Sequence, residues 1–117
     1  MSEMKFDRVR SESSGTVGRA VNRARGASVA LDSSSKPHDD TFTNSEAFLG
    51  GVSSCGVTLI EMHALETGVP LQRLAVTIEG GRTAEQPNRF AQVTMRFELA
   101  GVNQAQAEDL VKTYRGR

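Results

Sequence analysis

One stretch constrains this chain more than any other: Asn44–Leu71, NSEAFLGGVSSCGVTLIEMHALETGVPL. It is the longest run with few breakers, and its apolar residues have helical spacing. Phe48, Val52, Cys55, Leu59 and Met62 recur at steps of 4, 3, 4 and 3, which sets them on one face of an α-helix. Leu49 and Ile60 widen that stripe. Thr43, Asn44 and Ser45 all suit an N-cap, and Glu46 falls in the first turn, where negative charge favours the helix dipole. The helix therefore starts near Ser45. Gly68 followed by Pro70 reads as its stop. Gly50, Gly51 and Gly56 each weaken a helix by about 1 kcal/mol relative to Ala. A helix that keeps them has another element packed close against it.

The flanks are β-like. Over residues 1–31, Val17, Val21 and the Ala27–Leu31 run are strand material, Gly15, Gly18 and Gly26 are turns or bulges, and Phe6 and Val9 mark a first strand. Asp32–Asn44, rich in Ser, Asp and Pro, reads as a loop. After the helix, Leu71–Gly80 alternates at Leu74, Val76 and Ile78. Phe90–Leu99 alternates at Ala91, Val93, Met95, Phe97 and Leu99. The two strands make an antiparallel hairpin with one face on the helix and one in water. Asn103–Tyr114 is a second amphipathic helix capped by Asn103, with Ala107, Leu110, Val111 and Tyr114 inward. The fold class is α+β in a single domain spanning residues 1–117.

With 117 residues, a hydrophobic fraction of 38% and no Trp, the core is small and association is the expected way to complete it. Lys plus Arg equals Asp plus Glu at 14 each, so charge gives no sign of a nucleic-acid or membrane partner. No apolar run is expected to span a bilayer, and the charged start MSEMKFDRVR has no signal-peptide core behind it. A single cysteine excludes an internal disulfide and a Cys-rich metal site. The expected setting is a soluble, reducing compartment, the cytoplasm. His38, Asp39 and Asp40 are metal-binding residue types, but no second ligand cluster accompanies them, so they read as a solvated loop. No metal or cofactor is expected.

Chemistry centres on Cys55. A lone cysteine on an apolar helix face is most often a small buried hydrophobe. Here Gly51, Ser53, Ser54 and Gly56 leave space beside the sulfur. The helix dipole fades within a turn, so a reactive thiolate ten residues in needs a cation from elsewhere. The early arginines, Arg8, Arg10, Arg19, Arg23 and Arg25, are the cluster available. An arginine held by a carboxylate keeps a fixed orientation and can hydrogen-bond both a thiolate and a peroxide oxygen. His63 lies eight residues after Cys55, about 12 Å along the axis, too far to act as its base.

A loop, then NSEAFLGGVSSCGVTL, then Gly68-Val69-Pro70-Leu71 and a strand resembles the OsmC/Ohr family, its general OsmC-like branch in particular. The resemblance covers about Ala27 to Tyr114. It implies an OsmC-like fold: a curved antiparallel sheet on a long central helix that carries the cysteine, in an intertwined homodimer. It also implies thiol-dependent reduction of organic hydroperoxides in a stress response. Cys55 matches the peroxidatic cysteine and Glu46 the glutamate at the start of the helix. Arg25, or else Arg23 or Arg19, would be the activating arginine. A lipoyl-type dithiol would be the reductant. The family carries a second cysteine in a Cys-Pro motif after the segment matching Leu110–Arg117, so the chain reads as lacking the usual C-terminal segment. Glu46 stands nine residues before Cys55, as in the general branch, and Ser45 replaces a proline. The alternatives are a non-catalytic OsmC-fold protein holding a small apolar ligand at the dimer groove, and a purely structural dimer with Cys55 fully buried.

Overall fold

The computed structural model describes residues 3–115. The sequence ends, Met1 and Ser2 and then Gly116 and Arg117, lie outside them. Two compact units make up the chain, Met1–Phe48 and Leu49–Arg117.

The first unit is an antiparallel meander of β1 (Arg10–Ser13), β2 (Arg19–Ala24) and β3 (Ala27–Asp32) in the order β1-β2-β3. Gly15 and Gly18 take positive φ of 97° and 90° in the first turn, where Ser14 Oγ donates to the Arg19 carbonyl at 2.9 Å. Arg25 and Gly26 form the second turn between the paired Ala24 and Ala27, with Arg25 at φ 56°. So short a turn fixes the register, and that register sets Arg19 directly opposite Asp32. Three expectations are corrected here. Phe6 and Val9 precede β1 rather than forming a strand, Val17 sits in a turn, and Asp32 is the buried last residue of β3 rather than the start of a solvated loop.

The helix α1 runs from Asn44 to Thr67. Its N-cap is Thr43: Thr43 Oγ1 accepts the Glu46 backbone N–H at 3.2 Å, and Glu46 Oε1 accepts the Thr43 N–H at 2.9 Å, a reciprocal capping box. At the other end Gly68 has φ 69°. Its N–H reaches the Leu65 carbonyl while the Val69 N–H reaches Ala64, which satisfies two terminal carbonyls.

In the second unit α1 is followed by β4 (Arg73–Gly81), β5 (Gln92–Ala100) and α2 (Gln104–Arg115). The hairpin register pairs Leu74 with Leu99, Val76 with Phe97 and Ile78 with Met95. These six are half-buried while their neighbours, Ala100 excepted, are exposed, as the alternation requires. Asn103 caps α2 through its own box with Gln106, at 2.8 and 3.0 Å. Ile60, Ala64 and Leu110 form the buried centre, ringed by Leu74, Phe97, Leu99, Val111 and Tyr114. Gly56 is buried because the Tyr114 ring lies over it; a Cβ there would sit 3.4 Å from the ring.

The face that α1 turns to this core is therefore Gly56, Ile60 and Ala64, at helical steps of four. Of the stripe read from sequence, Val52 is half-buried one turn before Gly56 and Leu59 is half-buried, while Phe48, Cys55 and Met62 turn away from that face. Phe48 and Met62 are 63% and 58% exposed, and Cys55 is exposed. The reason is physical: α1 is apolar on more than one side, and spacing cannot say which side its own hairpin covers. At 24 residues and a mean hydropathy of 1.3, α1 is also long and apolar enough by composition to cross a membrane. The sequence reading had found no run of spanning length.

Candidate functional site

Cys55 stands near the middle of α1, flanked by Ser54 and the buried Gly56. Its sulfur is an exposed free thiol, so it is not packing within its own chain. The Cys55 carbonyl accepts the Thr58 hydroxyl at 3.3 Å, an ordinary back-bond in a helix. His63 is half-buried one turn before the helix ends, and its carbonyl accepts the Thr67 hydroxyl.

Among the described residues, the most elaborated polar cluster lies in the first unit, around Asp32. The cross-strand pairing brings Arg19 against it, with Arg19 Nε 2.7 Å from Asp32 Oδ1 and Nη2 3.3 Å from Oδ2. Nη2 also donates to Thr41 Oγ1 at 2.8 Å and lies 3.9 Å from Asp40. Thr41 Oγ1 in turn donates to Asp40 at 3.0 Å. On the other side, the His38 backbone N–H and ring Nδ1 both reach Asp32 Oδ2, at 3.0 and 2.9 Å. The Asp32 side chain is fully buried, while Arg19 keeps a quarter of its side chain exposed. A buried carboxylate needs this many donors to remain charged. The hydrogen bond from Arg19 holds the Asp32 carboxyl well below the usual carboxylate range against the opposing effect of burial; His38 helps through its ring and its backbone N–H. The same bond raises the Arg19 pKa further.

The other nominated residues are placed as follows. The Glu46 carboxylate accepts the Thr43 N–H. Arg25 is exposed at the β2–β3 turn. Arg23 is exposed and pairs with Glu12 at 2.9 Å, and Arg10 shares that carboxylate at 3.5 Å. His38 is the one member of the His38-Asp39-Asp40 run that binds Asp32, so its role is in that network.

No family model matches the chain, and no curated protein sequence does. Solved structures do. An OsmC-like protein from Mycoplasma pneumoniae superposes with a TM-score of 0.82 at 13% identity, over 97% of this chain and 82% of that one. An OsmC-like protein of unknown function from Vibrio cholerae gives 0.79 at 13% identity, over 97% and 89%. This chain has the OsmC/Ohr fold. An organic hydroperoxide resistance protein from Legionella pneumophila matches as well, at 0.70 and 19% identity, over 98% and 85%. The fold that the Asn44–Leu71 resemblance implied is thus the fold observed.

Within this OsmC/Ohr fold, sequence reasoning found the cysteine and the helix that carries it but missed Asp32. Its one signal was an acidic residue directly after the apolar Ala27–Leu31 run, and the Ser-Ser-Ser-Lys-Pro that follows disguised it as loop. Of the early arginines, Arg10 and Arg23 pair with the exposed Glu12, whereas Arg19 pairs with the buried Asp32.

Proposed function

We propose that the chain is a soluble, cytoplasmic OsmC-like thiol peroxidase that reduces organic hydroperoxides through Cys55 and works as a homodimer. The observation that carries this reading is the exposure of Cys55 at the middle of the long helix. Exposure leaves the thiol open to a substrate or to a second copy, and is at odds only with packing inside its own chain. The names of the Legionella protein and of a similar organic hydroperoxide resistance protein from Elizabethkingia anophelis support the chemistry.

The reaction balances with one cysteine. The thiolate attacks one peroxide oxygen, the S–O bond forms, the O–O bond breaks, and the alkoxide leaves as an alcohol after taking a proton. The sulfenic acid condenses with one thiol of a dithiol and releases water. The second thiol then displaces Cys55 as the dithiol closes to a disulfide. In this scheme the resolving thiol is supplied by the dithiol reductant. Arg19 is our choice among the early arginines for the group that hydrogen-bonds the thiolate and peroxide, because a carboxylate already fixes its guanidinium. Arg25 and Arg23 are the alternatives, and Glu46 is the acidic group at the start of the helix. The outward apolar face of α1 is read as subunit interface rather than lipid contact.

The test is a coupled assay with cumene hydroperoxide and a lipoyl-type dithiol, comparing the protein with Cys55→Ser. Consumption by the parent and none by the variant is expected. An intact, folded parent that consumes no hydroperoxide would overturn the enzymatic reading. It would leave the binding alternative, in which a small apolar ligand sits at the dimer groove.

A further inference from the structure

The stretch leading into β1 and the end of β2 enclose a cleft of about 580 Å³ within the first unit. Arg8 and Arg10 line it from one side and Arg23 and Arg25 from the other, and the one acid in its wall is Asp7. The sheet register adds to the imbalance. It sets Arg10 directly opposite Arg23, and like charges facing each other across a strand pair repel. A single carboxylate oxygen serves both: Glu12 Oε1 accepts Arg23 Nη1 at 2.9 Å and lies 3.5 Å from Arg10 Nε. Both guanidiniums remain more than half exposed. Arg8 and Arg25 are exposed too, and neither has an ion pair among the described residues. Arg25 also holds φ 56°. That backbone region suits Gly or Asn and strains a longer side chain, so an arginine there points to a use for its guanidinium.

The cleft has the volume of a small-molecule site. The chain as a whole carries no net charge, which gives a long polyanion little attraction, whereas a local excess of cations suits a compact one. Guanidinium forks bind phosphate oxygens in parallel pairs, and forks on two facing walls match more than one phosphate. Phe6, 76% exposed, lines the same cleft and offers a face on which a base can stack. We propose that this cleft binds a small organic polyphosphate, a nucleotide in class, with the four arginines on the phosphates and Phe6 on the base. The site lies within the first unit and does not depend on the peroxidase reading.

Titration calorimetry on the full chain tests it, with ATP, tripolyphosphate and adenosine as probes, free of divalent metal, at low and high salt. ATP and tripolyphosphate should bind, adenosine should not, and affinity should fall as salt rises. Phe6→Ala should weaken ATP and spare tripolyphosphate. Arg25→Gly removes the charge yet suits the left-handed backbone, so the urea midpoint should hold while ATP affinity falls about tenfold, the scale of one charged hydrogen bond. Arg8→Ala, in the irregular stretch before β1, should lower affinity in the same way, and Asp7→Asn should raise it. No binding of either phosphate at millimolar concentration would overturn the proposal. So would adenosine binding as tightly as ATP, or ATP affinity unchanged in both arginine variants. A single-stranded oligonucleotide that binds more tightly than ATP would overturn the assignment to a small ligand.

Discussion

Gly51→Ala separates a lone chain from an associated one. Gly51 lies one turn before Cys55 on the outward side of α1, and a Cβ built there meets nothing within 4 Å. In a chain that stays alone, the substitution adds only helix propensity, about 1 kcal/mol of stabilisation. In the proposed dimer the outward faces of the two helices meet, and each copy brings a methyl into a close contact. Overpacking costs about 1–3 kcal/mol per site, and two-fold symmetry applies it twice. Taking the lower bound at both sites, about 2 kcal/mol of association is lost, roughly a 30-fold rise in the dimer dissociation constant. Sedimentation equilibrium over a dilution series measures that constant, and urea melts at two protein concentrations give stability. The expected result is weaker association and a midpoint that falls on dilution. A midpoint raised equally at all concentrations, with no change in association, would refute the idea that this face is covered by a second copy.

Three further outcomes follow from particular contacts. Gly101 has φ 91°, and a Cβ there would lie 2.6 Å from the Pro70 carbonyl oxygen and 2.9 Å from the Gln72 nitrogen, so Gly101→Ala should cost more than about 2 kcal/mol in a urea melt. The Asp32 carboxyl sits well below its unfolded value of about 3.9, so its stabilisation is complete above about pH 5 and declines as acid protonates the unfolded chain first; urea melts between pH 7 and pH 3 should show an acid slope that Asp32→Asn flattens. Glutamine preserves a capping box, so Glu46→Gln should keep stability within about 0.5 kcal/mol in thermal melts, and a fall in hydroperoxide turnover in that folded variant would then report the carboxylate charge alone.

The parts of the fold legible in the sequence were those written in local periodicity. Leu74, Val76 and Ile78, then Met95, Phe97 and Leu99, alternate in the sequence and meet as three cross-strand pairs. Gly68 and Asn103 announced the end of one helix and the start of the next, and both perform those roles. The first strand was misplaced because Arg-Ser-Glu-Ser has no apolar period to read. It is a strand because Arg10–Ser13 pairs with Ala20–Arg23, and pairing is non-local. Asp32 was missed for the same reason: its burial comes from Arg19 across the sheet, thirteen residues earlier, and nothing in spacing alone links the two. Thr43 was one of three capping candidates. Its selection depended on Glu46 reaching back, a reciprocal bond whose T-x-x-E signature was present in the sequence.

The helix has two apolar faces, and they divide its functions. Gly56, Ile60 and Ala64 hold the hairpin and α2, with the Tyr114 ring laid over the missing side chain of Gly56. The other face carries Phe48, Cys55 and Met62 outward. A thiol on an uncovered apolar face has water as its surroundings and gains no special reactivity from the helix dipole at that distance. Whatever covers the face therefore sets the environment of the thiol. If a second copy covers it, association and turnover are one property. Turnover per chain should fall on dilution in step with dissociation, and Gly51→Ala should shift that fall to higher protein concentration by the same factor as its dissociation constant. Turnover per chain that stays constant through the dissociation midpoint would sever the two and place the chemistry of Cys55 within the single chain.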